Sequence, residues 1–481
     1  MNFRNVLLLV FLCFVFFVTN AQKVKTFDPD FSACGWIKDV GARTIPSSRG
    51  VDYNPADFGA VGDGITMCTE AIQAAIDACS ENGGGVVRFE TGIYLTGSVF
   101  LKSNVILDIP KGVRIVGSQD IKDYKEIPGR VAGIEMTWPA ALINIIGQQN
   151  VAVTGDGVID GDGKVFWDKY RAMRKEYDPK GLRWVVDYDC KRPRGIIIEN
   201  SKDVTLQDVV LYRPGFWSVH ILYSEYITVK GMTINNNIEA RGPSTDGIDI
   251  DSSERVLVEG CYVNCNDDNF CLKAGRDADG LRVNKPCQYI VIRDCIAGHG
   301  DGLFTCGSET SGGIKNVLIY NMQGLGTKYG LRFKSTSQRG GTIENIYIYN
   351  VKMDGVRDPF VVNLNWHPKY SNSLLPEGYV YEDLPVHWKK LLEKVDPEDG
   401  LPKFRNIHFE NVEAINANTC IKVTGLEEST IDNFSFTNVS FSGEEAGKIS
   451  YAKDWIFNKF SVSGTKDSKV EMENNSKVKI K

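Results

Sequence analysis

The chain has 481 residues, a formal net charge of −6 and a sequence pI near 5.6. This mildly acidic balance argues against a nucleic-acid partner, so any positive field that serves an anionic ligand has to be local. The hydrophobic fraction of 42% is ordinary for a globular protein and argues against a disordered chain.

The first predicted element is a secretory signal peptide over residues 1–21. Arg4 precedes an unbroken apolar run over residues 6–18, and Ala21 ends a small-residue stretch that suits cleavage. The run is too short for a comfortable membrane span, and no later segment is long and apolar enough for one. We therefore expect a mature chain over residues 22–481 that is secreted, or periplasmic in a Gram-negative bacterium, without a membrane span.

An odd number of cysteines, eleven, remains after Cys13 is removed with the signal peptide. Most of them lie inside strand-like runs, where a free thiol behaves as a small hydrophobic side chain. Cys265 and Cys271 are close enough in sequence to pair, and sequence alone leaves that pairing open. No cysteine or histidine spacing indicates zinc, and we expect no metal site.

A short internal repeat dominates the chain from residue 104 onward. β-runs that often open with Asn or Asp, such as 104–107, 150–153 and 316–319, recur every 20 to 35 residues. That spacing, with Gly and Asn between the runs, is typical of a solenoid of stacked coils. Long amphipathic helices are absent between the runs, which argues against helical repeats and alternating β–α folds. We predict an all-β fold, a parallel β-helix, in a single catalytic domain.

Three segments interrupt the repeat. Residues 69–79 form an amphipathic pattern that predicts a helix capping the first coil. Two insertions, at about 164–190 and 366–402, are rich in charged and aromatic residues. Because long loops on a solenoid usually crowd its binding face, we expect both insertions beside the site. They would close one end of a cleft, and their aromatic side chains would suit stacking against sugar rings.

Three carboxylates recur at about one coil's spacing. Asp246 and Asp267 are 21 residues apart, and Asp268 follows directly. Stacked coils place equivalent residues about 5 Å apart, and carboxylates that close cannot all keep ordinary pKa values. One would stay protonated near neutral pH while the others ionise. A proton donor and a water-activating base are the groups that acetal hydrolysis requires.

An imidazole and two cations complete the set. His299 is flanked by glycines on the next coil, where it could keep Asp267 protonated or bind substrate. Arg332 and Lys334 are two residues apart on one strand, so both would point to the same side. Together they suit the carboxylate of an acidic sugar. Each motif alone is more often a turn or a solvated surface group, so the hypothesis depends on their ordered combination.

In these segments the chain resembles glycoside hydrolase family 28, the polygalacturonase family. Further similarity extends over about residues 53–440, including the segments 57–64, 155–161 and 192–194. The resemblance implies a right-handed parallel β-helix that hydrolyses α-linked galacturonic acid or related pectic bonds without a metal or cofactor. Ser244 departs from the family, which usually has Asn there, and this departure would alter substrate contacts rather than the acids.

The resemblance also implies residue roles. Asp267 would be the general acid, Asp246 and Asp268 would activate water, and His299 would tune the site. The two cations would hold the substrate carboxylate at the cleavage point. The family inverts the anomeric configuration, whereas carboxylates about 5 Å apart ordinarily indicate retention. A water molecule held side-on between three carboxylates would reconcile the two.

Several functions remain open at this point. We expect a monomeric, exo-acting enzyme on pectic poly- or oligosaccharide, and a rhamnogalacturonan-directed hydrolase of the same family is the alternative within it. A pectate lyase would need calcium and an arginine base. A non-enzymatic sugar-binding β-helix would keep the aromatic residues without the ordered acids.

Overall fold

The computed structural model describes residues 31–48 and 51–480, of which Cys34–Lys481 form one compact unit. The predicted signal peptide over residues 1–21 lies outside the described residues, and its export function stays a prediction. Across the part that the structure describes, no helix combines the length and the apolar character needed to cross a membrane.

Parallel strands stack in successive coils and form three columns. The column that carries the candidate site, called the site column here, contains Val99–Phe100, Ile143–Ile146, Ile196–Glu199, Val219–Leu222, Ile248–Asp251, Phe270–Lys273, Gly302–Cys306, Tyr329–Lys334, Asp358–Asn363 and Glu471–Glu473. The second column contains Asp52–Tyr53, Gly85–Arg88, Val105–Asp108, Gln149–Thr154, Lys202–Gln207, Glu225–Lys230, Glu254–Glu259, Cys287–Arg293 and Ala452–Lys453. The third contains Asp63–Met67, Gly92–Thr96, Val113–Gly117, Val158–Asp160, Val210–Tyr212, Thr233–Asn235, Tyr262–Asn264 and Ile296–Ala297.

In the last coils the strands lengthen and turn the corners between columns. These long strands are Ile314–Leu325, Thr342–Asp354, Lys403–Thr424, Ile431–Ser450 and Ile456–Asp467. One antiparallel hairpin, Glu126–Val131 with Ile134–Pro139, stands apart from the stack. The stacking of parallel strands coil upon coil confirms the predicted parallel β-helix.

The interior of the coil is a continuous apolar core. Val204, Ile227, Val256 and Ile290 occupy equivalent positions on four successive coils and are fully buried. Alternation along each strand sends these side chains inward and their neighbours outward. All eleven cysteines among the described residues are free and buried, and none of them forms a disulfide, Cys265 and Cys271 included. Most therefore serve as small core side chains.

The corners of the coils explain the Asn that opens many repeats. Asn104 has φ 65° and Asn150 has φ 56°, in the left-handed region that Asn tolerates better than most residues. The side-chain amide of Asn150 donates to Asn104 Oδ1 at 2.9 Å, so the same residue also links neighbouring coils. Corner turns and coil-to-coil hydrogen bonds thus come from one residue type.

The helix Thr69–Glu81 caps the first coils as predicted. Its buried residues, Ile72, Ala75, Ile76 and Cys79, are those of the predicted apolar face. The other α-helices are Lys164–Tyr177, Val186–Asp189, Asp277–Val283, Pro368–Ser371, Val386–Leu392 and Pro397–Gly400. Short 3-10 helices occupy Phe31–Asp39, Pro55–Phe58, Ile121–Asp123, Asp178–Lys180 and Tyr381–Asp383.

The aromatic residues of the two insertions mostly pack against protein. Trp184 and Trp388 meet edge to face, with ring centroids 5.4 Å apart, inside a second apolar core that both insertions share. Trp167 and Tyr170 are buried as well. The expectation that these rings stack on sugars is therefore wrong for most of them. They hold the insertions in place, because long insertions need an apolar core of their own to stay folded.

Candidate active site

Two neighbouring strands of the site column bring the carboxylates together. Ile248 pairs with Phe270, and the N–H of Gly247 donates to the carbonyl oxygen of Asp268 at 2.9 Å. Asp246 therefore stacks on Asp268, and one carboxylate oxygen of each lies within 4.8 Å of the other and of the Cys271 thiol. The sequence had suggested Asp267 as the stacking partner, but this coil spans 22 residues rather than 21.

Asp267 lies one residue earlier, in the turn before the strand, and faces the same cavity as Asp246. Its Oδ1 accepts a hydrogen bond from the backbone N–H of Asp268 at 3.0 Å. Burial and the charges of Asp246 and Asp301 raise the pKa of Asp267 well above its ordinary value. A proton is thus retained on Asp267 where an ordinary aspartate would have lost it.

Asp268 is in the opposite state, because cations and neutral donors surround it. Its Oδ1 accepts from the N–H of Gly302 at 2.9 Å and from Thr305 Oγ1 at 2.8 Å. Arg332 donates to the same oxygen at 3.1 Å, and Lys334 donates to Oδ2 at 2.8 Å. Although burial opposes ionisation, the charges of Lys334 and Arg332 hold the pKa of Asp268 far below its usual range.

A third cation, Lys273, connects Asp246 to two further acids. Lys273 Nζ lies 3.8 Å from Asp246 Oδ2, 3.4 Å from Asp249 Oδ1 and 3.3 Å from Glu309 Oε2. Its ammonium also lies 4.8 Å from the centre of the Trp217 ring. Burial, reinforced by Asp249, raises the pKa of Asp246, and Lys273 opposes that rise. Burial raises the pKa of Asp249 itself to about 7.

Arg332 and Lys334 lie on one face of the strand Tyr329–Lys334, as the alternation predicts, while Phe333 between them is fully buried in the core. The guanidinium of Arg332 lies over the Tyr329 ring at 4.0 Å. The ammonium of Lys334 lies over the Trp366 ring at 4.6 Å. Stacking of this kind fixes the cations in place before any substrate binds.

His299 is placed differently from the other predicted site residues. It is exposed, and its Nδ1 lies 3.3 Å from the carbonyl oxygen of Gly326. Its backbone N–H donates to Asn264 Oδ1 at 3.0 Å. Among the described contacts none joins the imidazole to a site carboxylate. A tuning role for His299 therefore stays a prediction.

The carboxylates of Asp246 and Asp267 face a cavity of about 220 Å³. Arg183 and Asp187 of the first insertion line it, and so do Trp366 and Tyr370 of the second. Ser244 also lines it, and its hydroxyl donates to Asp187 Oδ1 at 3.2 Å. The expectation that both insertions border the site agrees with this lining.

Comparison with known proteins identifies the family. The model of glycosyl hydrolases family 28 matches residues 100–381, a span that contains all of these carboxylates and cations. The chain belongs to this family. It is therefore a glycoside hydrolase that acts on O-glycosyl bonds, and the resemblance drawn from the sequence motifs is confirmed.

Relatives of this family 28 chain are similar along most of their length. It is 27% identical over 405 residues to a probable polygalacturonase from Vitis vinifera, covering 82% of this chain and 75% of the relative. It is 24% identical over 453 residues to an exo-poly-alpha-D-galacturonosidase from Dickeya chrysanthemi, covering 85% and 70%. The crystal structure of an exopolygalacturonase from Thermotoga maritima matches with a TM-score of 0.71 and 26% identity, covering 91% of this chain and 94% of that one.

The family 28 site contains more acids than cations. The pKa values of its carboxylates therefore differ, because only some of these groups contact a cation. Sequence reasoning missed Glu309 and Asp301. It left Lys273 open between a contribution to the positive field and a solvated loop residue, and it placed Asp249 outward from its strand without a catalytic role. Strand alternation could have found Lys273, because it follows Cys271 on the same face of its strand. Nothing in the local sequence marks Glu309, which comes from a neighbouring coil.

The acids of this family 28 site are poorly suited to binding a metal ion. Asp246, Asp268 and Cys271 could offer three ligand atoms. However, Lys334 already pairs with Asp268. Burial also raises the pKa of the Cys271 thiol well above its ordinary value, so the thiol stays protonated. The arrangement suits acid–base chemistry on an uncharged bond beside an anionic group.

Proposed function

We propose that this protein hydrolyses α-linked galacturonic acid in pectic polymers, acting from a chain end and inverting the anomeric configuration. The observation that carries the proposal is that the proton-retaining Asp267 and the cation Lys334 line one cavity, while Arg332 shares the carboxylate of Asp268 with Lys334. Cations at that place would bind the carboxylate of a sugar next to the scissile bond. The names of the family relatives support the same substrate class.

In the proposed mechanism Asp267 donates its proton to the glycosidic oxygen while the bond from that oxygen to the anomeric carbon breaks. A water molecule attacks the anomeric carbon from the opposite face and gives a proton to Asp246. Burial and Asp249 raise the pKa of Asp246, and Lys273 opposes that rise, so the role of Asp246 as base depends on Lys273. Asp268 adds negative charge beside the water and anchors the two cations.

Chain-end action is supported by the walls of the cavity. Its volume of about 220 Å³ is below the roughly 300–1,000 Å³ of sites for drug-sized ligands, which suits one terminal sugar better than a threaded polymer. Arg183 and Tyr370 bring one insertion each to that wall, and their stacking at 4.9 Å joins the two insertions. We also propose that the enzyme is a secreted monomer, in keeping with the signal peptide predicted from the sequence.

Product analysis tests the proposal. Purified enzyme would be incubated with homogalacturonan and rhamnogalacturonan oligomers of defined length, with a chelator in a parallel arm. We expect saturated products of one small size from the first minutes, on homogalacturonan only, whether or not the chelator is present. Mixed product lengths would contradict chain-end action, unsaturated products would indicate a lyase, and cleavage of rhamnogalacturonan alone would favour the alternative hydrolase.

A further inference from the structure

A second cavity adjoins the active-site cavity towards the C-terminal coils. It has a volume of about 410 Å³, and it shares the lining residues Lys334 and Trp366 with the first cavity, so the two lie side by side. Basic side chains dominate its polar lining: Arg332, Lys334, Arg357, Lys422 and Lys448. None of the proposed catalytic steps requires the last three of these residues.

The register of the coils places three of these cations, Arg332, Lys422 and Lys448, in one row. Arg332 pairs with Val361, Val361 pairs with Lys422, and Lys422 pairs with Lys448. Equivalent positions on neighbouring strands are about 4.8 Å apart, so the backbone of Lys422 lies roughly 10 Å beyond that of Arg332. That separation exceeds the reach of a single carboxylate, so the two positions would contact different sugar units.

Arg357 and Lys422 repeat the arrangement found at the cleavage point. There, Arg332 and Lys334 share one buried carboxylate, Asp268. Here, Arg357 lies 3.0 Å and Lys422 lies 2.8 Å from opposite oxygens of Asp358, which is 1% exposed. In both places two cations share one carboxylate, and at Asp358 this leaves one net positive charge and spare N–H donors.

A shared ring holds the two places in fixed relation. Tyr329 lies between the guanidinium groups of Arg332 at 4.0 Å and Arg357 at 5.0 Å. The side chains of Arg357 and Lys422 remain 43% and 46% exposed, so an incoming anion can reach them. Lys448, by contrast, is paired with Glu473 at 2.6 Å and with Glu471 at 3.2 Å. It would contribute little.

We propose that Arg357 and Lys422 form a second carboxylate-binding subsite for an acidic sugar unit further along the substrate chain. The inference rests on the proposed function and deepens it, because it requires a polymer that stays charged beyond the cleaved bond. Methyl esters would remove the charge that the subsite binds. The enzyme would therefore favour unesterified polymer over esterified polymer at this distance from the cleaved bond.

Kinetics on a short and a long substrate test the subsite. Digalacturonate spans only the scissile bond, whereas polygalacturonate reaches Lys422. For Lys422→Met we expect the KM for polygalacturonate to rise about five- to tenfold, as loss of one partly exposed charge allows. The KM for digalacturonate should change less than about twofold, since an uncontacted surface site has little effect. Lys422→Arg should restore the polymer KM, and Lys352→Met, an exposed lysine outside both cavities, should change neither.

Binding of polygalacturonate, followed by calorimetry at several salt concentrations, is measured alongside with the same proteins. The wild type should show a steeper salt dependence than Lys422→Met, because one ionic contact is lost. An unchanged polymer KM, or equal changes on both substrates, would overturn the subsite while leaving the proposed function intact. If the wild type cleaves neither galacturonan, the proposed function fails, and equal binding by wild type and variant would then overturn the subsite too.

Discussion

Replacing Lys273 with Met should move the acidic limb of the pH–rate profile to higher pH. The charged groups around Asp246 are Asp249 on the strand that follows it, Asp267, Asp268 and Lys273 on the next coil, and Lys334 further along. Lys273 lies 3.8 Å from Asp246, and both side chains are 5% exposed. Loss of its charge makes ionisation of Asp246 less favourable, so a base that must be ionised reaches that state only at higher pH.

The size of the shift follows from the distance. Two unit charges 3.8 Å apart interact by about 4 kcal/mol at an effective dielectric constant of about 20, equivalent to about three pKa units. Part of this is offset, because neighbouring acids that Lys273 also contacts would take up protons when it is removed. We therefore expect the acidic limb to move by about one to two pH units.

The assay is kcat/KM on galacturonan oligomers as a function of pH, with thermal melting to establish folding. Asp249→Asn supplies an opposite test, since it removes a negative charge that raises the pKa of Asp246 and should lower the limb. Lys285→Met is the matched control, because this half-buried lysine donates to Tyr223 O outside the cavity. A folded Lys273→Met enzyme with an unmoved limb, or shifts of the same sign in both variants, would refute the reasoning.

Three further outcomes are expected. Asp267→Asn should lower kcat by about 10²- to 10⁴-fold, the usual contribution of a general acid, and keep oligomer binding in calorimetry; equal loss of binding would contradict the role. In the wild type, kcat should fall as pH rises through the raised pKa of Asp267, because a general acid must carry its proton; a flat basic limb would contradict this. Asp268→Asn leaves the buried Lys334 without its carboxylate partner and leaves Arg332 only the longer contact with Asp301, at 3.7 Å, and it should cost about 3–5 kcal/mol in the free energy of urea unfolding at pH 7. Because the pKa of Asp268 is depressed in the folded state, its stabilisation is present above the unfolded value of about 3.9 and is lost as pH falls, so the difference from wild type should narrow at pH 3.

Much of the fold could be predicted because each coil of the solenoid is encoded by a short local sequence pattern. Each coil repeats an apolar alternation and a corner residue, and Asn104 and Asn150 show both the corner conformation and the coil-to-coil hydrogen bond. The capping helix was predictable for the same reason, since its buried face follows a helical period. Periodic patterns of this kind can be recognised in the sequence without knowledge of contacts between distant residues.

The site was predictable only in part, because its electrostatics depend on coil length. The acids Asp246, Asp267 and Asp268 gather as the motif order suggests, but a coil of 22 rather than 21 residues decides which two stack. The role of Lys273 depends on Glu309, 36 residues later, which no local pattern connects to it. The expectation that the rings of the two insertions stack on sugars was wrong for a similar reason, since composition does not tell whether a ring faces a sugar or packs in a second apolar core.

The fixed spacing between coils brings the acids of the site together, and it also prevents them from all keeping ordinary pKa values. Parallel stacking forces acids on neighbouring coils to within 4.8 Å of one another, closer than ordinary pKa values allow. The protein resolves the conflict by distributing its cations unequally. Two of them hold Asp268 ionised, Lys273 favours the ionised form of Asp246, and Asp267 receives no direct cation contact in the described structure and keeps its proton. The acids therefore differ in the cations that they contact, and the row of cations that begins at Arg332 continues past the site along the path that we assign to the rest of the polymer.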